Sequence, residues 1–293
     1  MATLNDNYVY QFAKLIYQMA QQQTSRLRQH VVSVDMTGER MFFERVHPTA
    51  MEAVTSRFTP SPVMETEFTR RALDIIDYHI GDMIDWKDDP RLLISPESAI
   101  VSAFAMAFGR QVDETIIQDC FMAASKEGRA GATVVPFPTS QIVPVNTGGS
   151  NSGMNLAKLI EAKSLFGRND LDDSMPGNEI MLGISQRQLD DLLKDEKLTS
   201  ADFANVKALN EGVINRFMGM TFIRTELFQK TAGVRTCVAW MKSGVRLAMP
   251  QAWTMKVAER HDVSFNWYAF GKLTIGGCRI EDEKVVHIPC NEA

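Results

Sequence analysis

The first regular pattern along the chain is an amphipathic stripe in residues 4–27. Apolar side chains recur there three or four positions apart, which is the spacing of one face of an α-helix. The stripe precedes any candidate core, so the helix it predicts either packs on its own domain or reaches a neighbouring molecule as an arm. Its members are Leu4, Tyr8, Phe12, Leu15, Met19 and Leu27.

A pattern typical of β-structure follows the stripe. Short apolar runs at 31–34 and 41–46 are separated by the turn residues Thr37 and Gly38. Two such runs joined by a turn predict a β-hairpin.

Residues 48–67 form the least regular part of the first third. They lack long apolar runs and contain Pro60 and Pro62. Because proline cannot lie in a central strand, they predict an edge strand or an extended excursion. Residues 68–85 fit both the helical and the strand spacing, and we favour a strand.

A long helix is predicted over residues 96–127. Ser95 and Pro96 are a typical helix start, and Gly109 is the one glycine inside the helix. An uninterrupted helix of this length would span ~48 Å at 1.5 Å per residue, which makes it a spine for the molecule. Its apolar side repeats every four residues, at Ile100, Phe104, Phe108, Val112, Ile116 and Cys120.

The second half of the chain alternates short helices with short strands. A capping box at Ser185 and Gln188 starts one of these helices. The pattern as a whole predicts an α+β protein with mixed or antiparallel sheets. The other predicted elements are an extended edge strand at 132–145, helices at 154–166 and 199–209, and strands at 179–184, 220–225, 236–241, 245–249 and 255–288.

Composition excludes several classes of protein. The 293 residues are 45% hydrophobic and 23% charged, which is ordinary for a globular chain. Acidic residues outnumber basic ones by 36 to 31, so the chain lacks the basic excess of a protein that mainly binds nucleic-acid phosphates. The 17 methionines favour adaptable packing at binding surfaces.

The cysteines and the apolar runs bear on the cellular compartment. The cysteines have no close spacing, which favours a reduced cytosolic context over a disulfide framework. The N-terminus lacks the basic start of a signal peptide, and the longest apolar run, at 99–108, is too short to cross a bilayer. The four cysteines are Cys120, Cys237, Cys278 and Cys290.

One glycine-rich loop suggests nucleotide chemistry. Gly148 and Gly153 have the spacing of the first two P-loop glycines, but Met154 and Asn155 occupy the positions where lysine and a hydroxyl are needed. A mobile loop is therefore favoured over a phosphate site, although a soluble enzyme with a substrate loop at 148–153 remains an alternative.

Other candidate chemistry is sparse. The five histidines are isolated, so neither a metal site nor a cofactor is predicted. The carboxylates at 170–173 and 281–283 fall in turns and are interpreted as solvated loops. The basic pairs, Arg26 with Arg28 and Arg70 with Arg71, are interpreted as ion-pair partners of an acidic neighbouring subunit.

Three segments resemble tailed-phage major capsid proteins of the HK-ninety-seven type. The stretch from Asn178 to Leu193 (NEIMLGISQRQLDDLL) is similar to the strand and helix start of that family's axial domain. The stretch from Glu211 to Thr225, with Gly212 and Gly219, is similar to a glycine-marked segment of the family. Residues 260–288 are similar to its closing strands.

The resemblance implies the tailed-phage and herpesvirus capsid fold and a division of the chain. The expected parts are an N-terminal arm at 1–30, an extended loop at 31–88, a peripheral domain with the spine helix at 89–153, an axial domain at 154–249, and C-terminal strands at 250–293 that return to the peripheral domain.

The resemblance also implies a function without catalysis. Copies of the chain would form hexamers and pentamers of an icosahedral head around double-stranded DNA, inside the virion and assembled in the host cytoplasm. Scaffolding, portal and decoration proteins are further partners, and another head or tail structural protein is the alternative. The residues expected at contacts between subunits are Tyr8, Phe12, Arg26, Arg28, Phe42, Phe43, Met51, Phe58, Met64, Phe68, Arg70 and Arg71.

Overall fold

The computed structural model describes most of the chain as helices and sheets. The described residues are 21–58, 61, 63, 65–84, 97–149, 151–171, 178–194 and 216–292. The helices are α1 (Glu97–Thr115), α2 (Leu156–Arg168) and α3 (Gln186–Lys194), and a π-helical segment, Ile116–Met122, continues α1.

Fourteen strands lie within the described residues. They are β1 (Val32–Val34), β2 (Arg40–Val46), β3 (Phe68–Asp74), β4 (Ile76–Ile84), β5 (Ser125–Glu127), β6 (Thr133–Val135), β7 (Ile180–Ile184), β8 (Arg216–Phe217), β9 (Met220–Arg224), β10 (Lys230–Thr231), β11 (Val234–Met241), β12 (Val245–Arg260), β13 (Asn266–Arg279) and β14 (Val285–Asn291).

These strands form three sheets. One four-stranded sheet has the order β1-β12-β13-β4, and a second has the order β2-β3-β5-β6. The six-stranded sheet runs β10-β11-β7-β9-β8, with β14 also paired to β11. Most pairs are antiparallel, but β1 with β12 and β7 with β9 are parallel. The α+β class with mixed sheets is therefore confirmed.

The six-stranded sheet separates two hydrophobic cores. Alternate side chains of β11 face opposite sides of a sheet, so Val238 and Trp240 enter the core beneath α1, while Cys237 and Ala239 enter the core under α2 and α3. Both faces of the sheet are covered, which explains why all five residues of β7 are buried.

The predicted hairpin at 31–46 is wrong, although both of its strands exist. β1 pairs in parallel with Val245–Arg260, and β2 pairs with Phe68–Asp74, so the two strands belong to different sheets. The turn signal at Gly38 is real, with a φ of 100°. Tertiary pairing with distant strands decides the partners of these two short runs.

The predicted spine helix is shorter than residues 96–127. α1 and the π-helical segment end at Met122, and Ser125–Glu127 is a strand that pairs with β3. The 19 α-helical residues of α1 span roughly 28 Å. The chain leaves the helix where Ala123 adopts an extended conformation.

Other predicted elements agree with the structure or lie outside it. The strand favoured for residues 68–85 is confirmed as β3 and β4, and the Ser185 backbone N–H donates to Gln188 Oε1 at 3.0 Å, as a capping box requires. Residues 21–27 are not helical, so that end of the predicted first helix is wrong. The rest of that stripe and the helix predicted at 199–209 lie outside the described residues.

The last strand contributes to both hydrophobic cores. β14 pairs with β11 along seven residues and buries Val286, Ile288 and Cys290 in the core under α2 and α3. On its other face, Val285 lies in the core beneath α1, to which β12 and β13 contribute Leu247 and Leu273.

Candidate assembly surfaces

The segment between β2 and β3 carries apolar side chains with no core beneath them. Met51 and Phe58 are fully exposed, at 101% each, and Val54 and Val63 are nearly so. The described residues of the segment contain no helix or strand, and its two ends are joined by a hydrogen bond from the His47 N–H to the Glu67 carbonyl at 3.0 Å. The expected contact residue Met64 lies outside the described residues.

The strands at the root of this segment carry the other aromatic candidates. Phe42 lies under the guanidinium of Arg70, with 5.6 Å from Arg70 Cζ to the ring centroid. Phe43 packs on the small core that contains Leu73, whereas Phe68 is largely exposed. Phe68 therefore extends the apolar surface of the segment towards the body of the protein.

Arg70 and Arg71 have different surroundings because adjacent strand residues face opposite sides of a sheet. Arg70 is half-exposed and pairs with Glu44 at 2.6 Å. Arg71 is 1% exposed and pairs with Asp282 at 2.5 Å and with Glu127 at 2.9 Å. The expectation that Arg71 meets a neighbouring subunit is wrong, since its charge is neutralised inside its own chain.

Arg71 is the centre of a set of five ionised side chains that we call the arginine–carboxylate chain. It consists of Arg45, Glu127, Arg71, Asp282 and Arg279, in which each carboxylate joins two guanidinium groups. Its members come from β2, β5, β3, the turn before β14, and β13. The arginine–carboxylate chain therefore connects the sheet that carries the exposed segment to the rest of the molecule.

The arginine–carboxylate chain ends on the π-helical segment. Arg279 Nη1 donates to the carbonyls of Phe121 at 3.1 Å, Ala123 at 3.3 Å and Cys120 at 3.4 Å. Carbonyl groups at a helix C-terminus have no partner within the helix, and a cation is favoured there. The interpretation of residues 281–283 as a solvated loop is thus wrong for Asp282, which is buried in this network.

A stacked aromatic pair adjoins the same helix end. His287 lies parallel to Phe137 with 3.7 Å between ring centroids, and its Nε2 is 3.0 Å from the Phe121 carbonyl. Burial lowers the pKa of His287 to about 4; the hydrogen bond with the Phe121 carbonyl raises the pKa back in part, and the charge of Arg279 lowers it by a smaller amount. His287 is therefore a neutral structural donor at physiological pH.

The two N-terminal basic candidates remain accessible. Arg26 is exposed and donates from Nη1 to the Arg224 carbonyl at 2.8 Å, while Arg28 is exposed and its backbone N–H donates to Ser25 Oγ at 3.2 Å. Tyr8 and Phe12 lie outside the described residues.

The turn between β12 and β13 is an exposed surface that sequence reasoning missed. Ser264 and Phe265 have positive φ angles of 51° and 58°, in the left-handed region that L-residues rarely adopt. Phe265 is largely exposed and forms a T-shaped contact with His261, at 5.2 Å between ring centroids. Because Phe265 falls within the stretch 255–288 that is predicted as strands, the sequence pattern does not mark this turn.

The glycine loop at 148–153 is held by its own neighbours. Lys158 is buried, and its Nζ donates to the carbonyls of Ser152 at 2.7 Å and Pro289 at 2.9 Å. A Cβ at Gly153 would lie 2.2 Å from Asp191 Oδ2. Packing against Asp191 thus accounts for the glycine at position 153, and the nearby ammonium group is directed at backbone carbonyls.

The four cysteines are all buried. Burial raises the pKa of Cys278 to about 11 and that of Cys120 well above its ordinary value, while a hydrogen bond with Cys290 and burial raise the pKa of Cys237. Within the described part of the chain, no three His, Cys, Asp or Glu side chains are placed to hold a metal ion, and no helix is long and apolar enough to cross a membrane.

A family model described as phage capsid protein matches residues 4–292 of the chain. No curated protein sequence matches at a significant level.

Solved capsid structures share the fold at low identity. The capsid of cyanophage Pam1 has a TM-score of 0.75 with 13% identity and covers 100% of both chains. Mycobacterium phage Che8 has a TM-score of 0.72 with 13% identity over 98% of both chains. The Ralstonia phage GP4 capsid has a TM-score of 0.72 with 8% identity over 100% of this chain and 98% of its own.

The chain belongs to the phage capsid protein family. It has the HK-ninety-seven-type capsid fold and is a major capsid protein, the structural subunit of a phage head. The resemblance stated from the sequence is confirmed, and the protein's place is the capsid of the virion.

Proposed function

We propose that copies of this chain form hexamers and pentamers that close into an icosahedral shell around double-stranded DNA. The observation that carries the proposal is the segment between β2 and β3, whose fully exposed Met51 and Phe58 stand on a root fixed by buried ion pairs. An apolar segment that has no core beneath it and a rigid root is expected to become buried when copies of the chain meet.

Energetics support this use of the segment. Burying one large apolar side chain contributes roughly 1.5–3 kcal/mol, and the segment offers Met51, Val54, Phe58 and Val63 in every copy. A loop of this length without secondary structure is uncommon inside a compact domain and is usually functional. Aromatic and methionine side chains are also enriched at interfaces.

The proposed contacts follow the expected division of the chain. Residues 1–30 act as an arm, 31–88 as the extended loop, 89–153 as the peripheral domain, 154–249 as the axial domain around the capsomer centre, and 250–293 as closing strands. The proposed contact residues are Tyr8, Phe12, Arg26, Arg28, Phe42, Phe43, Met51, Phe58, Met64, Phe68 and Arg70.

The remaining partners follow from charge and context. A formal net charge of -5 suits a container that encloses DNA without holding it tightly. Assembly takes place in the host cytoplasm with scaffolding, portal and decoration proteins as partners, and the chain carries no catalytic activity of its own.

Electron microscopy of the full expressed chain tests the proposal. The expected result is rings and closed shells with subunits linked through extended segments. Tubes or open rings alone would favour another head or tail part, and a compact monomer in which the segment between β2 and β3 lies on its own core would overturn the proposal.

A matched pair of variants tests the segment itself. Replacing both Met51 and Phe58 with serine should abolish shells without changing the melting temperature of the free subunit, because neither side chain touches a core. Replacing both with leucine keeps the apolar area and should keep the shells. Equal shell yields from the two variants would contradict the assigned role.

A further inference from the structure

Residues 22–27 cross the helix α1 and are held there by one buried carboxylate. Asp113 Oδ1 accepts from the Leu27 N–H at 3.1 Å and from Ser25 Oγ at 2.5 Å. Asp113 Oδ2 accepts from the Arg26 N–H at 2.9 Å and from Gln22 Nε2 at 2.5 Å. Asp113 itself is fully buried, so both of its oxygens are devoted to this short stretch.

The helix surface is shaped for this crossing. A Cβ at Gly109 would lie 3.1 Å from the Ser25 nitrogen and 3.2 Å from the Thr24 carbonyl carbon. Glycine is thus the residue that lets the two backbones approach so closely. At the next position of α1, Arg110 Nη1 donates to Gln21 Oε1 at 2.5 Å.

The far side of the crossing is fixed to the six-stranded sheet. Leu27 is fully buried in the core beneath α1, and Trp240 Nε1 donates to the His30 carbonyl at 2.9 Å. The stretch therefore runs from α1 to the sheet with both ends anchored.

We infer that Asp113 is a positioning residue for the N-terminal arm. By holding the backbone of Arg26 and Leu27, it fixes the position at which the N-terminal arm joins the subunit. The inference rests on the proposed function, since it gives a role in assembly to a side chain that is fully buried within its own subunit.

Replacing Asp113 with asparagine tests the carboxylate without changing the size of the side chain. Each oxygen of the carboxylate accepts one backbone N–H, from Arg26 or from Leu27. In either orientation, the asparagine NH₂ group must face one of these donors, because an amide has only one acceptor oxygen. At least one backbone bond is lost.

The first measurement is amide hydrogen exchange in the free subunit. In the Asp113→Asn variant, the amide of Arg26 or Leu27 should exchange at least about fivefold faster, which is the change expected for the loss of one buried hydrogen bond. Glu114→Gln removes the same charge from the neighbouring, exposed position of α1 and should leave these amides unchanged.

The second measurement is the yield of closed shells per folded subunit. We expect Asp113→Asn to lower it at least about fivefold, while Glu114→Gln matches the unmodified chain. Ile288→Val serves as a control for general destabilisation, since it trims a fully buried side chain in the core under α2 and α3, on the other side of the six-stranded sheet from α1.

The outcomes separate the inference from the proposed function. If the unmodified chain forms no shells, the proposed function fails and the exchange result alone decides how the arm is held. If the unmodified chain assembles and Asp113→Asn yields the same shells, the inference is overturned. It is also overturned if Ile288→Val and Asp113→Asn have the same melting temperature and lower the shell yield by the same factor. Unchanged exchange rates of the Arg26 and Leu27 amides in Asp113→Asn would overturn it as well.

Discussion

At the scale of single residues, Arg71 illustrates how a buried charge depends on all of its partners. Asp282 accepts from both Arg71 and Arg279, and Glu127 pairs with both Arg71 and Arg45. Removing the central guanidinium leaves two carboxylates with half of their partners. Removal of one partner from a buried ion pair costs about 3–5 kcal/mol because the remaining charge is uncompensated.

We therefore expect Arg71→Met to lower the free energy of unfolding by about 3 kcal/mol. Arg70→Met is the matched control: its pair with Glu44 is exposed, and exposed pairs contribute about 0–1 kcal/mol. Denaturant titration of the two variants measures the difference. Equal losses would mean that the buried network does not hold the root of the exposed segment.

His287 makes stability depend on pH in a defined window. Its pKa is about 4 in the folded protein, against 6.5 ordinarily, so between these values the unfolded chain binds a proton that the folded one does not. Stability is present in full above pH 6.5, falls as the pH drops towards 4, and levels off below it. The total loss from this group is about 3 kcal/mol.

The variant His287→Gln isolates that contribution. Glutamine keeps an N–H donor near the Phe121 carbonyl and does not titrate. Between pH 4 and 6.5, the slope of unfolding free energy against pH should fall by up to about 1.4 kcal/mol per pH unit, as measured by urea titration at several pH values. An unchanged slope would show that His287 is already protonated in the folded state.

At this scale the sequence indicates residue types better than their surroundings. It marks Arg70 and Arg71 as a basic pair but does not say which face of β3 is buried. The acids that neutralise Arg71 lie 56 and 211 positions further on, and no local pattern joins them. Asp113 has no local signal either, since its partners are backbone and side-chain groups of a distant stretch.

At the scale of elements, the glycines of α1 and α2 have opposite surroundings. A Cβ at Gly109 would press on the backbone of Thr24 and Ser25, whereas a Cβ at Gly167 would meet nothing within 4 Å. Inside a helix, alanine is favoured over glycine by about 1 kcal/mol, so the contact decides what a substitution does.

We expect Gly167→Ala to raise the free energy of unfolding by up to about 1 kcal/mol. Gly109→Leu should lower it by about 1–3 kcal/mol, because its side chain must displace an anchored backbone. Thermal and denaturant unfolding of both variants measure the effects. A stabilised Gly109→Leu would mean that residues 24–25 are free to move off the helix.

Elements with local signals are the ones that sequence predicts correctly. The start of α3 is encoded by Ser185 and Gln188, three positions apart, and the alternating pattern of β13 is read directly. The pairing of β1 and β2 is not local, because their partners lie at Val245–Arg260 and Phe68–Asp74. The end of α1 also escapes prediction, since the carbonyls near Phe121 are satisfied by the distant Arg279.

At the scale of the whole molecule, the segment between β2 and β3 is the part whose environment should change most on assembly. Trypsin should cut the free subunit after the exposed Arg57, where no strand or helix protects the backbone. The same bond should be protected in shells. Mass spectrometry of fragments from both forms measures the contrast, and cleavage at equal rates would indicate that the segment remains uncovered.

The fold is recognisable in the sequence from the order of its elements and from family-like segments spread over the whole chain. No single motif in residues 178–193 or 260–288 carries it alone. The amino-acid composition argues against some classes of protein, such as those that mainly bind nucleic acid. It does not identify the class to which this chain belongs, since many folded proteins have the same composition. The contacts between subunits depend on which side chains are exposed on the single subunit. Exposure follows from the packing of the cores, so it cannot be predicted from the local sequence.

The position of β14 has a consequence for protein synthesis. Val286, Ile288 and Cys290 complete a core whose other walls are formed more than forty residues earlier. During translation, the six-stranded sheet therefore cannot close until Asn291 has left the ribosome. A chain interrupted anywhere before β14 lacks this strand beside β11, and quality-control proteases would find an open sheet edge. Only completed translation products would then be competent to enter a particle.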